Sequence, residues 1–202
     1  MENKSYIVIN GGQPINLTDD QVKELKKSLG TNVCPKDVAP GDPFMYYGVE
    51  FVVLDHTEIG TLVMTKDLVG EEMKFGKNNN FADDECEVRK FLEEYSKKFN
   101  KDDLVEFEVD LTSDDGLKDY GTLKTKVALL TAEQARKYVD ILDKHKVDKY
   151  WWLATPFSTP THEDDEWVKC VSPRGFFNYY LSYISNNGVR PVLIFKSNIS
   201  VS

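Results

Sequence analysis

Three histidines, His56, His145 and His162, and three cysteines, Cys34, Cys86 and Cys170, are the residues of this chain best suited to metal or nucleophilic chemistry. Their spacing suits neither. No two cysteines fall at C-x-x-C spacing, so no zinc knuckle or redox pair is suggested. The histidines are widely scattered, with no H-x-x-x-H. No serine sits in a G-x-S-x-G turn. Two oxygen-rich loops, Ser113-Asp114-Asp115-Gly116 and His162-Glu163-Asp164-Asp165-Glu166, offer the ligand type that calcium takes, but neither follows the EF-hand spacing. Solvated acidic loops are the plainer reading. The expectation is a protein without a catalytic residue, a metal or a cofactor.

The residues suited to recognition lie elsewhere. Residues 174–187 read RGFFNYYLSYISNN, and eight of these fourteen are Asn, Tyr or Ser. Those types make adaptable binding surfaces: rigid amphipathic rings with little entropy to lose, and small flexible hydrogen-bonding groups. A tyrosine-rich hairpin with no ligand is the alternative. Strand alternation puts Phe177, Tyr179, Leu181 and Tyr183 on one face, read as inward, and Asn178, Tyr180, Ser182 and Ile184 on the other. Candidate ligand contacts are Trp167, Arg174, Asn178, Tyr180, Ser182 and Asn186. Trp151 and Trp152 point to opposite faces of their strand and are read as packing residues. Arg190, between Val189 and Pro191, is read as a structural clamp whose planar fork holds backbone carbonyls or a carboxylate.

Several elements must position these groups. Tyr6–Ile9 and Ile15–Leu17 flank an Asn10-Gly11-Gly12 turn and read as a hairpin. Thr18 and Gln21 form a capping box for a helix over residues 18–29. Prolines and a glycine over 31–43 mark a linker. Residues 44–47, 50–54 and 62–65 read as a meander, followed by a long polar loop over 70–85. A helix capped by Asp83 or Asp84 presents Val88, Phe91, Leu92, Tyr95 and Phe99. Residues 105–111 alternate as a half-exposed strand or an extended arm, and 126–130 form a better strand. Thr131 and Gln134 make a second capping box, for a helix with Ala135, Tyr138, Val139 and Leu142 inward. Strands over 151–156, 167–171, 177–184 and 189–195 complete the chain, and the double-tryptophan strand and the Gly-Val-Arg-Pro segment are expected to pair in one core.

The chain has 202 residues, 41% of them apolar, and a net charge of −9. It can bury a substantial core without disulfides. Its acidity argues against nucleic-acid binding, which needs a cationic face. No run reaches the length of a membrane helix. The opening MENKSYIVINGG has only a four-residue apolar core, short of a signal-peptide h-region. A cytoplasmic or phage-virion location is therefore expected, with no membrane contact.

Four motifs carry a resemblance: Cys86-Glu87-Val88-Arg89-Lys90-Phe91-Leu92-Glu93, Leu129-Leu130-Thr131-Ala132-Glu133, Trp151-Trp152-Leu153-Ala154-Thr155-Pro156 and Gly188-Val189-Arg190-Pro191. In this order they resemble a C-type-lectin-like domain-of-unknown-function family of bacteria and phages. That family is related in fold to formylglycine-generating-enzyme-like proteins and to the variable proteins of diversity-generating retroelements. Ala154 and Thr155 stand where the family pattern has arginine and serine. The resemblance implies an α+β, C-type-lectin-like fold of short antiparallel sheets with two flanking helices over residues 41–202, preceded by a hairpin-helix appendage over 1–40. It implies a non-catalytic module displaying residues 157–187 to a protein or glycan partner of phage or adhesin type. The alternatives are an oxidative enzyme of the formylglycine-generating type, whose paired cysteines this chain lacks, and a virion structural protein that oligomerises through the N-terminal hairpin and the helix over 18–29.

Overall fold

A computed structural model describes residues 5–7, 15–18, 33–184, 187–199 and 201. Strands β1 (Ser5–Ile7) and β2 (Ile15–Leu17) pair as the expected antiparallel hairpin. Its turn, and the helix expected after Thr18, lie outside the described residues. A single 3-10 turn at Pro35–Asp37 then leads into the body of the protein.

The meander forms as its alternation predicts. Strands β3 (Pro43–Tyr46), β4 (Val49–Thr57) and β5 (Gly60–Thr65) are consecutive antiparallel neighbours. β5 is buried along its whole length. Gly60 is required there, because a Cβ at this position would overlap the carbonyl oxygen of Phe195. β6 (Val69–Met73) follows, and α1 (Glu87–Ser96) packs Val88 and Leu92 inward. The next strands are short: β7 (Leu104–Val105), β8 (Phe107–Asp110), β9 (Thr122–Thr125) and β10 (Val127–Ala128). Two six-residue helices, α2 (Ala132–Lys137) and α3 (Val139–Lys144), precede β11 (Trp151–Pro156), β12 (Trp167–Val171), β13 (Phe177–Leu181), β14 (Asn187–Val189) and β15 (Val192–Phe195).

The strands make two main sheets. One has the order β10-β15-β5-β4-β3, with β7 also on β15; the other has the order β13-β12-β11-β14-β6. β8 and β9 form a separate ribbon. The expectation of an α+β, C-type-lectin-like fold with two flanking helices is overturned. The protein is mostly β, with 37% strand against 17% helix. The described α-helices are three, and two of them are short pieces of what the sequence suggests as one.

Other boundaries also move. Residues 69–73 form a strand at the start of the stretch read as polar loop, and 122–125 form one where no element was expected, because their side chains are largely exposed and the backbone alone makes the pairing. The first described α-helix takes Cys86 as its N-cap, and Asp83 instead accepts the Glu85 N–H at 2.7 Å, closing the preceding turn. The Thr131 capping box is present: Gln134 N–H donates to Thr131 Oγ at 3.2 Å, and Thr131 N–H donates to Gln134 Oε1 at 3.0 Å. The Thr155 hydroxyl accepts a further N–H from Ala132 at 2.8 Å. The helix that follows breaks at Tyr138, where φ and ψ are −102° and 20°, and Val139 turns out to solvent. Among the described residues no helix is long and apolar enough to cross a membrane.

The expected pairing of the double-tryptophan strand with Gly-Val-Arg-Pro is present. β11 lies parallel to β14 with Trp151 opposite Gly188, whose N–H donates to Tyr150 O at 2.7 Å. A Cβ on Gly188 would stand 2.5 Å from Leu68 Cδ1. The strand expected over 189–195 is broken at Arg190-Pro191, and its halves join different sheets. Arg190 is 1% exposed. Its Nε donates to Thr65 O at 3.0 Å, and its Nη2 donates to Lys66 O at 2.6 Å and His145 O at 2.8 Å. Its plane sits 5.5 Å from the Trp151 ring. Burial pushes its pKa down to about 10, against the opposing pull of Asp67, so it stays charged at neutral pH.

Arg190→Lys tests this clamp. A point charge on a flexible stem cannot reach carbonyls spread around a planar fork. The expected loss is about 3 kcal/mol in chemical denaturation, from abandoned charge-assisted hydrogen bonds. The corresponding fall in Tm is about 10 °C. A change within error would remove Arg190 from this role.

Candidate functional site

β11, β12 and β13 are consecutive neighbours, and their burial declines in that order. Every β11 residue is buried, β12 exposes part of Trp167, and β13 is half open along its length. The β12–β13 register places Trp167 opposite Leu181, Lys169 opposite Tyr179 and Val171 opposite Phe177, all on one face. Phe157 joins this face from the loop, because its N–H donates to Trp167 O at 2.8 Å. The Tyr179 ring then meets Phe157 at 4.7 Å and Trp167 at 5.4 Å, the latter edge-on at 87°. Phe157 is 36% exposed and Tyr179 46% exposed. The result is a three-ring ledge left open to solvent.

A charge lies behind the ledge. Lys169 is 7% exposed, with Nζ 6.0 Å from the Phe157 ring centre and 5.8 Å from that of Tyr179. It pairs with Asp114 at 3.0 Å, and Asp114 also takes Arg136 at 2.7 Å. Burial works against the ionised Asp114, but hydrogen bonds and charge from Arg136 and Lys169 outweigh it and hold the carboxyl below its usual range. Arg136 in turn sits 5.5 Å over the Phe177 ring. A cleft of about 240 Å³ continues from Asp114 and Arg136 toward Asp110, Thr131 and Glu133.

The acidic loops that looked solvated are so only in part: Glu163, Asp165 and Glu166 are exposed, while Asp115 and Asp164 fasten the loops of this site. Asp115 Oδ2 accepts the Ser158 hydroxyl at 2.6 Å and lies 2.9 Å from His162 Nδ1, while Oδ1 accepts the Ser113 hydroxyl. Asp119 accepts the Thr159 hydroxyl at 2.6 Å. Asn79, fully buried, donates to both Ser158 O and Trp167 O at 3.1 Å and accepts the Tyr120 hydroxyl at 2.7 Å. Asp164 accepts the N–H of Glu166 at 3.0 Å. Ser158, Asp115 and His162 are thus together, but the carboxylate stands between serine and histidine. A triad needs the histidine between the other two. The thiols of Cys86 and Cys170 are buried, which pushes them up to about 11 and about 12, far from a thiolate at neutral pH. Among the described residues, no group of His, Cys, Asp and Glu is arranged to hold a metal ion.

The sequence-derived candidates do not form one patch. Trp167 is on the ledge. Arg174 is exposed in the β12–β13 turn. Asn178 and Tyr180 lie on the opposite face of β13, where Tyr180 meets the edge of Tyr150 at 5.4 Å. Ser182 is 0% exposed and belongs to the core. Its carbonyl accepts the N–H groups of Phe75 and Gly76. Asn186 lies outside the described residues. Trp151 and Trp152 are both buried, on opposite faces as expected, and Trp152 Nε1 donates to Met73 O at 2.8 Å. The face read as inward, with Tyr179, is the one that carries the ledge. Phe157, Lys169, Tyr179 and Asp114 are absent from the candidates. Extending the Trp167-Lys169-Val171 alternation across the hairpin would have found Lys169 and Tyr179, but Phe157 and Asp114 arrive from loops.

A family model described as a domain of unknown function (DUF6273) matches residues 60–197, and the chain belongs to that family. No curated protein and no solved structure matches it.

Asp115 makes a pH prediction. Burial opposes its ionisation, yet the hydrogen bonds from Ser113, Ser158, His162 and Leu117 N–H together hold it well below the usual carboxylate range. A carboxyl that titrates lower in the folded chain stabilises the fold fully above its unfolded pKa, and that contribution fades as pH falls toward the folded value. Asp115→Asn should therefore be less stable than the parent at neutral pH, with the gap closing on acidification below about pH 4. Denaturant titrations at a series of pH values measure this, and a gap independent of pH would contradict it.

Proposed function

We propose that this member of the DUF6273 family is a non-catalytic recognition module, presenting the ledge of Phe157, Trp167 and Tyr179 to a protein or glycan partner. One observation carries the reading. Three aromatic rings, with Tyr179 touching the other two, stay open to solvent on two strands and a loop that buried polar bonds hold in place. Amphipathic rings of this kind bury large area while their polar tips remain hydrogen-bonded. Held rigid, they lose little entropy when a partner arrives. Tryptophan and tyrosine are also the residues that dominate binding energies when they sit at the centre of a contact.

The site's charges favour the same use. Lys169 is neutralised from behind by Asp114, so the rings present an apolar face while Arg136, Glu133 and Asp110 supply polar groups at the rim. A pyranose ring or an apolar peptide side chain fits such a face. The resemblance to bacterial and phage domains suggests a partner on a cell or virion surface.

Binding to immobilised glycans and to bacterial surface proteins tests the proposal. Tyr179→Ala and Trp167→Ala should each weaken a binding partner about tenfold or more. Asn178→Ala, on the other face, should leave binding unchanged. Unaltered circular dichroism would show that the fold is kept. Equal affinity of the parent and the Phe157→Ala/Trp167→Ala/Tyr179→Ala variant for every partner found would overturn the ledge as the site.

A further inference from the structure

β13 ends its sheet, and no described strand pairs with its outer edge. Phase along the strand shows which groups are free. Ser182 N–H donates to Glu166 O at 2.7 Å, and Phe176 O accepts from Ser172 N–H at 2.9 Å. The residues that bond to β12 are therefore the even ones, and Asn178 and Tyr180 fall in step with them. The backbone groups of Phe177, Tyr179 and Leu181 aim away from β12. Among the described residues they find no backbone partner, save the Leu181 carbonyl, which accepts from Ile184 N–H.

Exposed strand edges are normally blunted by charge, proline or shortness. The other edges of the two main sheets follow this rule. β6 carries Glu71 and Glu72, β3 begins with Pro43, and β10 is two residues long. β13 has none of these devices. Residues 175–184 contain no charged residue and no proline, in a chain that is 29% charged.

We infer that β13 pairs edge to edge with β13 of a second copy of this chain, antiparallel about a two-fold axis at Tyr179. The open groups are in phase for this: Phe177 faces Leu181 of the second copy, and Tyr179 faces its own counterpart. Two apolar pairs and one tyrosine pair then stand side by side with no like charges opposed. The ends are complementary as well. Arg174 is exposed at one end, and Glu163, Asp165 and Glu166 are exposed at the other, with no ion-pair partner for any of them among the described residues. Because Glu166 flanks Ser182, antiparallel pairing brings Arg174 of each copy toward the acidic end of the other. Among the described residues the two main sheets leave this one edge unblunted, so the assembly closes as a dimer and does not propagate. The pairing uses the backbone edge and leaves the ring face open, so it stands independently of the ledge's role. It would place two ledges on one continuous sheet.

Sedimentation of the full chain from micromolar to submillimolar concentration tests this. The parent should dimerise reversibly, more weakly at high salt. Leu181→Pro removes an outward N–H that no ladder bond uses and leaves the three ledge rings in place, and it should weaken dimerisation at least tenfold with circular dichroism unchanged. Arg174→Glu and Glu166→Arg should each weaken it, and the double exchange should restore it. A parent that stays monomeric at every concentration would overturn the inference. So would a dimer indifferent to Leu181→Pro and to the charge exchange, since its contact would lie elsewhere.

Discussion

One buried guanidinium sets the relation between the two main sheets. The chain leaves the β11 sheet at Val189 and enters the β5 sheet at Val192, so two strands of different sheets are separated by only Arg190 and Pro191. A crossing this short leaves orphan acceptors where neighbouring elements stop: the end of β5 at Thr65, the next residue Lys66, and His145 beyond the last described helix. Buried carbonyls without partners are costly. Arg190 serves all three from one planar group, and Pro191 brings no N–H that would need its own acceptor. The carbonyl of Pro191 is used as well, taking the Thr65 N–H at 3.0 Å. The guanidinium faces carbonyls and the Trp151 ring, so its charge is satisfied by dipoles without a buried carboxylate.

What could be read from the sequence is what depends on unusual residue types or on side-chain periodicity. The double tryptophan and the Arg-Pro pair are such types, and their pairing and the clamp follow from strand chemistry. The Thr131 capping box and the meander of β3, β4 and β5 are periodicity and capping signals, and both are present. The strand content was harder to read. β6 and β9 expose Glu71, Glu72 and Thr122, so their side chains resemble those of loops, while their pairing is a backbone matter that composition does not report. Helical spacing over 131–142 hid the break at Tyr138. The α+β reading came with the resemblance, and undercounted strands and one overlong helix left nothing in the residues to oppose it.

The same distinction explains the site. Alternation correctly told which residues of β13 share a face, but not which face is covered, because that depends on what packs above a sheet edge. Ser182 was carried along by extending the alternation one residue past Leu181, where the chain turns and buries it. The acidic loops misled for a different reason. Aspartate is equally at home in solvent and as an acceptor for hydroxyls and N–H groups, and only the fold shows Asp115 taking Ser113 and Ser158 and Asp119 taking Thr159. Part of the chain's negative charge is therefore internal fastening, and it holds the loop that delivers Phe157.

The order β11, β12, β13 also accounts for the end of the sheet being the place proposed for recognition. β11 is enclosed on both faces, with Trp151 against Arg190 and Trp152 against Phe75. A change there disturbs two layers at once, and close-packed interiors tolerate little change in volume. Each step outward removes cover, until β13 keeps beside it, among the described residues, β12, the rings of Phe157 and Tyr150, and the Arg136 guanidinium over Phe177. Packing therefore places few demands on residues 177–181, and their composition is free to answer to a partner. The rigid part of the protein fixes where this strand stands. The strand itself retains the freedom to vary, because the ladder to β12 is made by backbone atoms that are the same for every side chain.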